Sequence, residues 1–147
     1  MDNGHILLVE DNINDVELTL RAFKKNNIVN EVVVVSDGEE ALDYLFGTHT
    51  YAGRDKNIMP VVILLDLNLP KMGGLEVLQS IRANKQTKLL PVVILTSSNE
   101  EKDLIDSYNL GANSYVRKPV EFNQFVEAIK QLGLYWLIIN EPPPRTG

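Results

Sequence analysis

Five short segments rich in Val, Ile or Tyr recur along the chain, at 6–9, 32–35, 61–65, 92–95 and 114–116. Each is too short for a typical helix and reads as a strand. The middle ones are apolar at consecutive rather than alternate positions, the pattern of strands covered on both faces, as in parallel sheets. Between them the period becomes helical: Val16, Leu20 and Phe23 share one stripe, as do Leu75, Leu78 and Ile81, and Phe122, Val126 and Ile129. Strand and helix alternate five times, which predicts an α/β fold, a doubly wound sheet with right-handed crossovers.

Two stretches break the pattern. Segment 47–59 is longer than the usual connection of about 4 to 6 residues, and is expected to be either floppy or a contact surface. At the other end, the stripe of the last helix continues through Leu132, Trp136 and Ile139 despite Gly133, while the opposite side carries Leu134, Leu137 and Ile138. A helix apolar on two sides needs two partners, here the sheet and a second subunit. The run Pro142-Pro143-Pro144 then stops the helix. The expected organisation is one domain over 1–140 and a proline-rich tail over 141–147.

Composition narrows the function. The 147 residues and 44% hydrophobic content suit one core. A net charge of -6 argues against a nucleic-acid surface, which needs clustered Lys and Arg. Cysteine is absent, which removes disulfides, thiol chemistry and zinc-thiolate sites. The first residues have no basic region ahead of an apolar core, and no apolar run approaches the roughly 18 residues of a membrane span. The expected location is the cytoplasm.

In open α/β sheets, ligands sit outside the carboxyl ends of the strands. The first strand ends in Glu10-Asp11, the third in Asp66 and the fourth in Thr96-Ser97, while the fifth runs into Lys118-Pro119. Taken singly, each acid or hydroxyl is as well explained as a helix cap. Together they are harder to explain so, because two like charges about 4 Å apart repel by roughly 4 kcal/mol at an effective dielectric near 20. Three converging carboxylates call for a cation, and oxygen ligands that leave room for water and a phosphate suit Mg2+.

The segments Val9-Glu10-Asp11-Asn12, Leu65-Asp66-Leu67-Asn68-Leu69-Pro70-Lys71-Met72-Gly73-Gly74, Leu95-Thr96-Ser97, Gly111-Ala112-Asn113-Ser114-Tyr115 and Lys118-Pro119 together resemble the receiver domains of bacterial two-component response regulators. The resemblance runs from about His5 to Leu132 and implies a flavodoxin-like (βα)5 sheet of strand order 2-1-3-4-5. It implies that Asp66 is the phosphoacceptor, and that Asp11, Asp66 and the Asn68 carbonyl ligate Mg2+, with Glu10 acting through water. Many receivers have two aspartates where this chain has Glu10-Asp11, a change expected to spare Mg2+ binding. Lys118, Thr96 and Ser97 would contact the phosphoryl group, and Thr96 and Tyr115 would form the switch. Lys118-Pro119 is expected to be a cis peptide, and Gly73 and Gly74 to supply positive φ after Asp66.

Asp15 reads as an exposed helix acid, and His5, His49 and Arg117 receive no role. A Mg2+-dependent phosphohydrolase would want a second aspartate where Asn68 stands. A pseudo-receiver would lack an acid or the lysine, and a flavodoxin-like cofactor binder would want a less acidic loop than Asp11-Asn12-Ile13-Asn14-Asp15. Within the receivers, segment 47–59, the apolar C-terminal extension and the few residues after it resemble the small regulators that partner phytochromes. The expected partners are a sensor histidine kinase, of the phytochrome type or of another relay, and an unidentified downstream protein. A homodimer is expected through a face that includes Tyr108, Phe122 and Trp136.

Overall fold

The computed structural model describes residues 4–118 and 121–143. Five parallel strands, β1 (His5–Val9), β2 (Glu31–Val35), β3 (Val62–Leu65), β4 (Val92–Thr96) and β5 (Ser114–Arg117), form one sheet in the order β2-β1-β3-β4-β5. The connecting helices are α1 (Ile13–Lys25), α2 (Gly38–Phe46), α3 (Gly74–Ala83), α4 (Glu101–Asn109) and α5 (Phe122–Gly133).

The unbroken apolar runs follow from coverage of both faces. Alternate strand residues point to opposite sides. Leu7, Val9, Ile63 and Leu65 pack with Ala41, Leu45, Val77 and Ile81 of α2 and α3. Ile6, Leu8, Val62 and Leu64 pack with Ala22, Phe23, Phe125 and Ile129 of α1 and α5. Truncation of a fully buried residue such as Leu64 to alanine is expected to cost about 2–5 kcal/mol.

Register places the chemistry. In the β1–β3 pair, Val9 lies opposite Leu65, and Asp66 N donates to Val9 O at 3.1 Å. The next residue on each strand, Glu10 and Asp66, therefore emerges at the same edge.

Segment 47–59 is anchored rather than loose, although most of it is exposed. A 3-10 turn at His49–Tyr51 opens it. Arg54 then donates from Nε to Tyr44 O at 2.6 Å and from its terminal nitrogens to Ile58 O at 2.7 Å and Leu45 O at 3.2 Å. Its guanidinium lies 4.2 Å from the centroid of the Tyr44 ring. One arginine thus pins the connection to the end of α2. The histidines also have partners: buried His5 meets the Tyr44 hydroxyl at 2.8 Å, and His49 meets Asp43 at 2.9 Å.

The glycines after Asp66 work differently from the expectation. Gly73 has φ -66, and the left-handed residue of this loop is Lys71 at φ 65. Gly74 is required by proximity, since a Cβ there would meet Asp66 O at 2.3 Å.

The C-terminal stripe also shifts. Past Gly133 the helix widens into a π-helical segment, Leu134–Ile139, closed by Asn140 N donating to Tyr135 O at 2.6 Å. The wider turn rotates the pattern. Leu137 joins Leu132 and Trp136 against the core, whereas Ile139 turns outward with Leu134 and Ile138. Gly133 lets α5 approach Ile28 closely, because a Cβ there would meet Ile28 Cδ1 at 2.6 Å.

Candidate functional site

The β1–β3 register brings Glu10, Asp11 and Asp66 together, with one carboxylate oxygen of each within 4.8 Å of the other two. Glu10 and Asp66 are buried and Asp11 is exposed. Helix capping does not account for them. The N-cap of α1 is Asn12, whose side chain accepts from Asn14 N at 2.9 Å and Asp15 N at 3.3 Å. Backbone amides serve the acids themselves: Asn12 N donates to Glu10 at 3.2 Å, and Asn68 N to Asp66 Oδ1 at 3.3 Å.

Lys118 enters from the end of β5, where its backbone N donates to Thr96 O at 2.8 Å. Its side chain is 9% exposed, and its ammonium hydrogen-bonds Glu10, lies 3.0 Å from Asp15 Oδ2 and stands 3.5 Å from Asp66 Oδ2. Asp15 is thus a correction: the acid read as merely exposed belongs to the pocket. Its place in the first turn of a helix that starts at the pocket was the available signal.

One ammonium is outnumbered by the acids around it. Burial pushes the Glu10 carboxyl up to about 7, against the Lys118 hydrogen bond, and the Asp66 charge adds to the rise. Burial alone would lower the Lys118 pKa, but the Glu10 hydrogen bond and the charges of Asp66 and Glu10 outweigh it and raise it. The cluster offers oxygen donors only, with Asp11 open to solvent. That set fits a hard divalent cation that keeps part of its water shell.

The remaining expected site residues lie around this pocket or apart from it. Thr96 is fully buried at the end of β4, and its hydroxyl accepts from Ser98 N at 3.3 Å. Ser97 and Asn68 are exposed. Tyr115 is half-buried against the α2–α3 side of the core, with its hydroxyl 3.4 Å from Ser98 O. The cis peptide expected at Lys118-Pro119 lies outside the described residues. Tyr108 is 51% exposed on α4 and Trp136 is half-buried on the core. Phe122 is turned toward α1, with the Arg21 guanidinium 4.9 Å from its ring centroid.

Comparison with known proteins gives a consistent result. The model of the response regulator receiver domain matches residues 6–130. Response regulator Rcp1 of Synechocystis sp. is 38% identical over 90% of this chain and 88% of its own length. A crystal structure of the Mn(2+)-bound form of Rcp1 superposes with TM-score 0.87, covering 96% of this chain and 99% of that one. The phosphorylated cyanobacterial phytochrome response regulator RcpA is 39% identical with TM-score 0.88, covering 96% and 99% of the two chains. The bacteriophytochrome response regulator AtBRR is 56% identical with TM-score 0.75, covering 94% and 98%.

Proposed function

The chain belongs to the response regulator receiver family, and on that premise we propose that it carries a signal by accepting a phosphoryl group on Asp66 from a sensor histidine kinase. The observation that carries this reading is the buried Asp66 carboxylate, with Glu10 and Asp11 beside it and the Lys118 ammonium 3.5 Å away.

An Asp66 carboxylate oxygen attacks the phosphorus of a phosphohistidine. The new O–P bond forms as the P–N bond breaks, and the leaving imidazole nitrogen keeps the electron pair and takes up a proton. Asp11, Asp66 and the Asn68 carbonyl would hold Mg2+, with Glu10 reached through water, and the ion supplies the neutralisation that lets two anions meet. Lys118 neutralises a further phosphoryl oxygen as a point charge. Thr96 donates its hydroxyl to the same group. Its movement frees space for Tyr115 to turn inward, shifting the population between two shapes of the outer face.

RcpA and AtBRR, a phytochrome and a bacteriophytochrome response regulator, support a kinase of the phytochrome type as the phosphoryl source, and with it a cytoplasmic reaction. Of the residues expected to pair, Tyr108 is exposed while Phe122 is turned toward α1 and Trp136 is half-buried; Tyr108 and the exposed Leu134 and Ile138 of the C-terminal segment support pairing of two copies. Sedimentation at tens of micromolar is expected to give a dimer, and a monomer would remove the pairing.

Intact-mass analysis after incubation with acetyl phosphate and Mg2+ tests the central claim. One added phosphoryl group is expected on the native chain and none on Asp66→Asn. Equal labelling of both would overturn it. Phosphotransfer from purified phytochrome-type and unrelated kinases then tests the partner.

A further inference from the structure

The Asp15 contact goes beyond what the proposed chemistry uses. An acid in the first turn of a helix ordinarily needs no partner, since the helix dipole favours it at about 0.3–1 kcal/mol. Asp15 instead spans 103 residues of sequence to place Oδ2 3.0 Å from a lysine whose side chain is 9% exposed. Two of the three Lys118 N–H bonds are thereby committed, one to Glu10 and one to Asp15. Asp66, at 3.5 Å, lies beyond the roughly 2.7–2.9 Å of a charge-assisted hydrogen bond. The ammonium is therefore hydrogen-bonded to the α1 and β1 acids and only attracted to the Asp66 carboxylate.

From this geometry we propose that Asp15 is a positioning residue that holds Lys118 on the α1 side of the pocket and competes with a phosphoryl group on Asp66 for its ammonium. This deepens the proposed function and rests on it. Asp15 sets how tightly the phosphorylated form is held, without touching the metal ligands or the reacting atoms. Its backbone roles are separate, because Asp15 N donates to Asn12 and Asp15 O accepts from Thr19. Replacing the carboxylate leaves both in place. A purely helical role for Asp15 predicts a change in stability alone.

The test is titration with beryllofluoride, a phosphoryl mimic that requires the acceptor carboxylate, in saturating Mg2+ and followed by 19F NMR. Asp15→Asn is expected to tighten binding by about fivefold, the ratio matching the upper range for a partly exposed ion pair. Mg2+ affinity without beryllofluoride is expected to fall slightly, because the released ammonium can turn toward Asp66. Glu17→Gln removes one charge from the same helix at an exposed position outside ion-pair distance of Lys118, and is expected to leave both affinities as they were.

Equal effects of Asp15→Asn and Glu17→Gln, or weaker beryllofluoride binding by Asp15→Asn, would overturn the competition. Asp15→Ala serves as the second variant, with a thermal melt to verify folding. A native chain that binds no beryllofluoride would sink the proposed function itself, an outcome distinct from native binding that Asp15 does not alter.

Discussion

Two partly buried cations in this molecule are satisfied in opposite ways. Arg82 of α3 donates to Gly111 O at 2.9 Å, Lys88 O at 3.0 Å, Leu90 O at 2.8 Å and Asn113 Oδ1 at 2.8 Å. All four acceptors are neutral. Asn113 Oδ1 also accepts from Val92 N at 2.8 Å, so the cluster ties α3 to the starts of β4 and β5. Lys118, at the opposite end of the same strands, is shared among Glu10, Asp15 and Asp66. Neutral acceptors leave Arg82 with nothing further to bind, whereas excess carboxylate leaves the Lys118 pocket short of positive charge. The first arrangement holds the fold together and the second keeps a site receptive.

The contrast can be broken by substitution. Asp66→Asn should produce the largest change, complete loss of phosphoryl acceptance by intact mass, together with a metal-free protein at least as resistant to urea as the native one. Lower urea resistance would mean the acidic pocket is structural after all. Arg82→Met should do the reverse, lowering the unfolding free energy by about 3 kcal/mol as charged hydrogen bonds are lost, while phosphoryl acceptance persists. If acceptance fell with stability, the two regions would not be separable.

Mg2+ should stabilise the native chain and Arg82→Met alike, by about 2.7 kcal/mol at 100 times its dissociation constant. Asp11→Asn should abolish most of that gain. A melting temperature indifferent to millimolar Mg2+ would remove the cation from the account. The smallest effect is expected from Thr96→Ala, which should still accept the phosphoryl group but lose roughly 1 kcal/mol of coupling between phosphorylation and partner binding, the low end for linked sites. Partner affinity that responds equally with and without Thr96 would exclude it from the switch.

The sheet was legible because burial on both faces leaves an unmistakable mark, consecutive apolar residues from Val62 to Leu65 and from Val92 to Leu95. The meeting of Glu10, Asp11, Asp66 and Lys118 was legible because parallel strands deliver their carboxyl ends to one edge. What escaped depends on contacts that leave no side-chain pattern. Arg54 bonds to backbone carbonyls, so segment 47–59 looked unanchored. Leu137 and Ile139 exchanged sides because a π-helical turn alters the period on which the stripe was read. Asp15 was missed because helix position explains an acid locally, while its partner lies on a distant strand.

The β1–β3 ladder has one more consequence. Asp66 N is hydrogen-bonded to Val9 O at 3.1 Å and Glu10 N to Val35 O at 3.0 Å, so both acids are anchored by main-chain bonds on either side of β1. The spacing of their α-carbons is that of the sheet and cannot stretch to ease the crowding of like charge. Side-chain rotation is the only internal freedom left. The edge behaves as a rigid jaw whose tension falls when a cation arrives from outside, when Lys118 shifts toward Asp66, or when Glu10 takes up a proton.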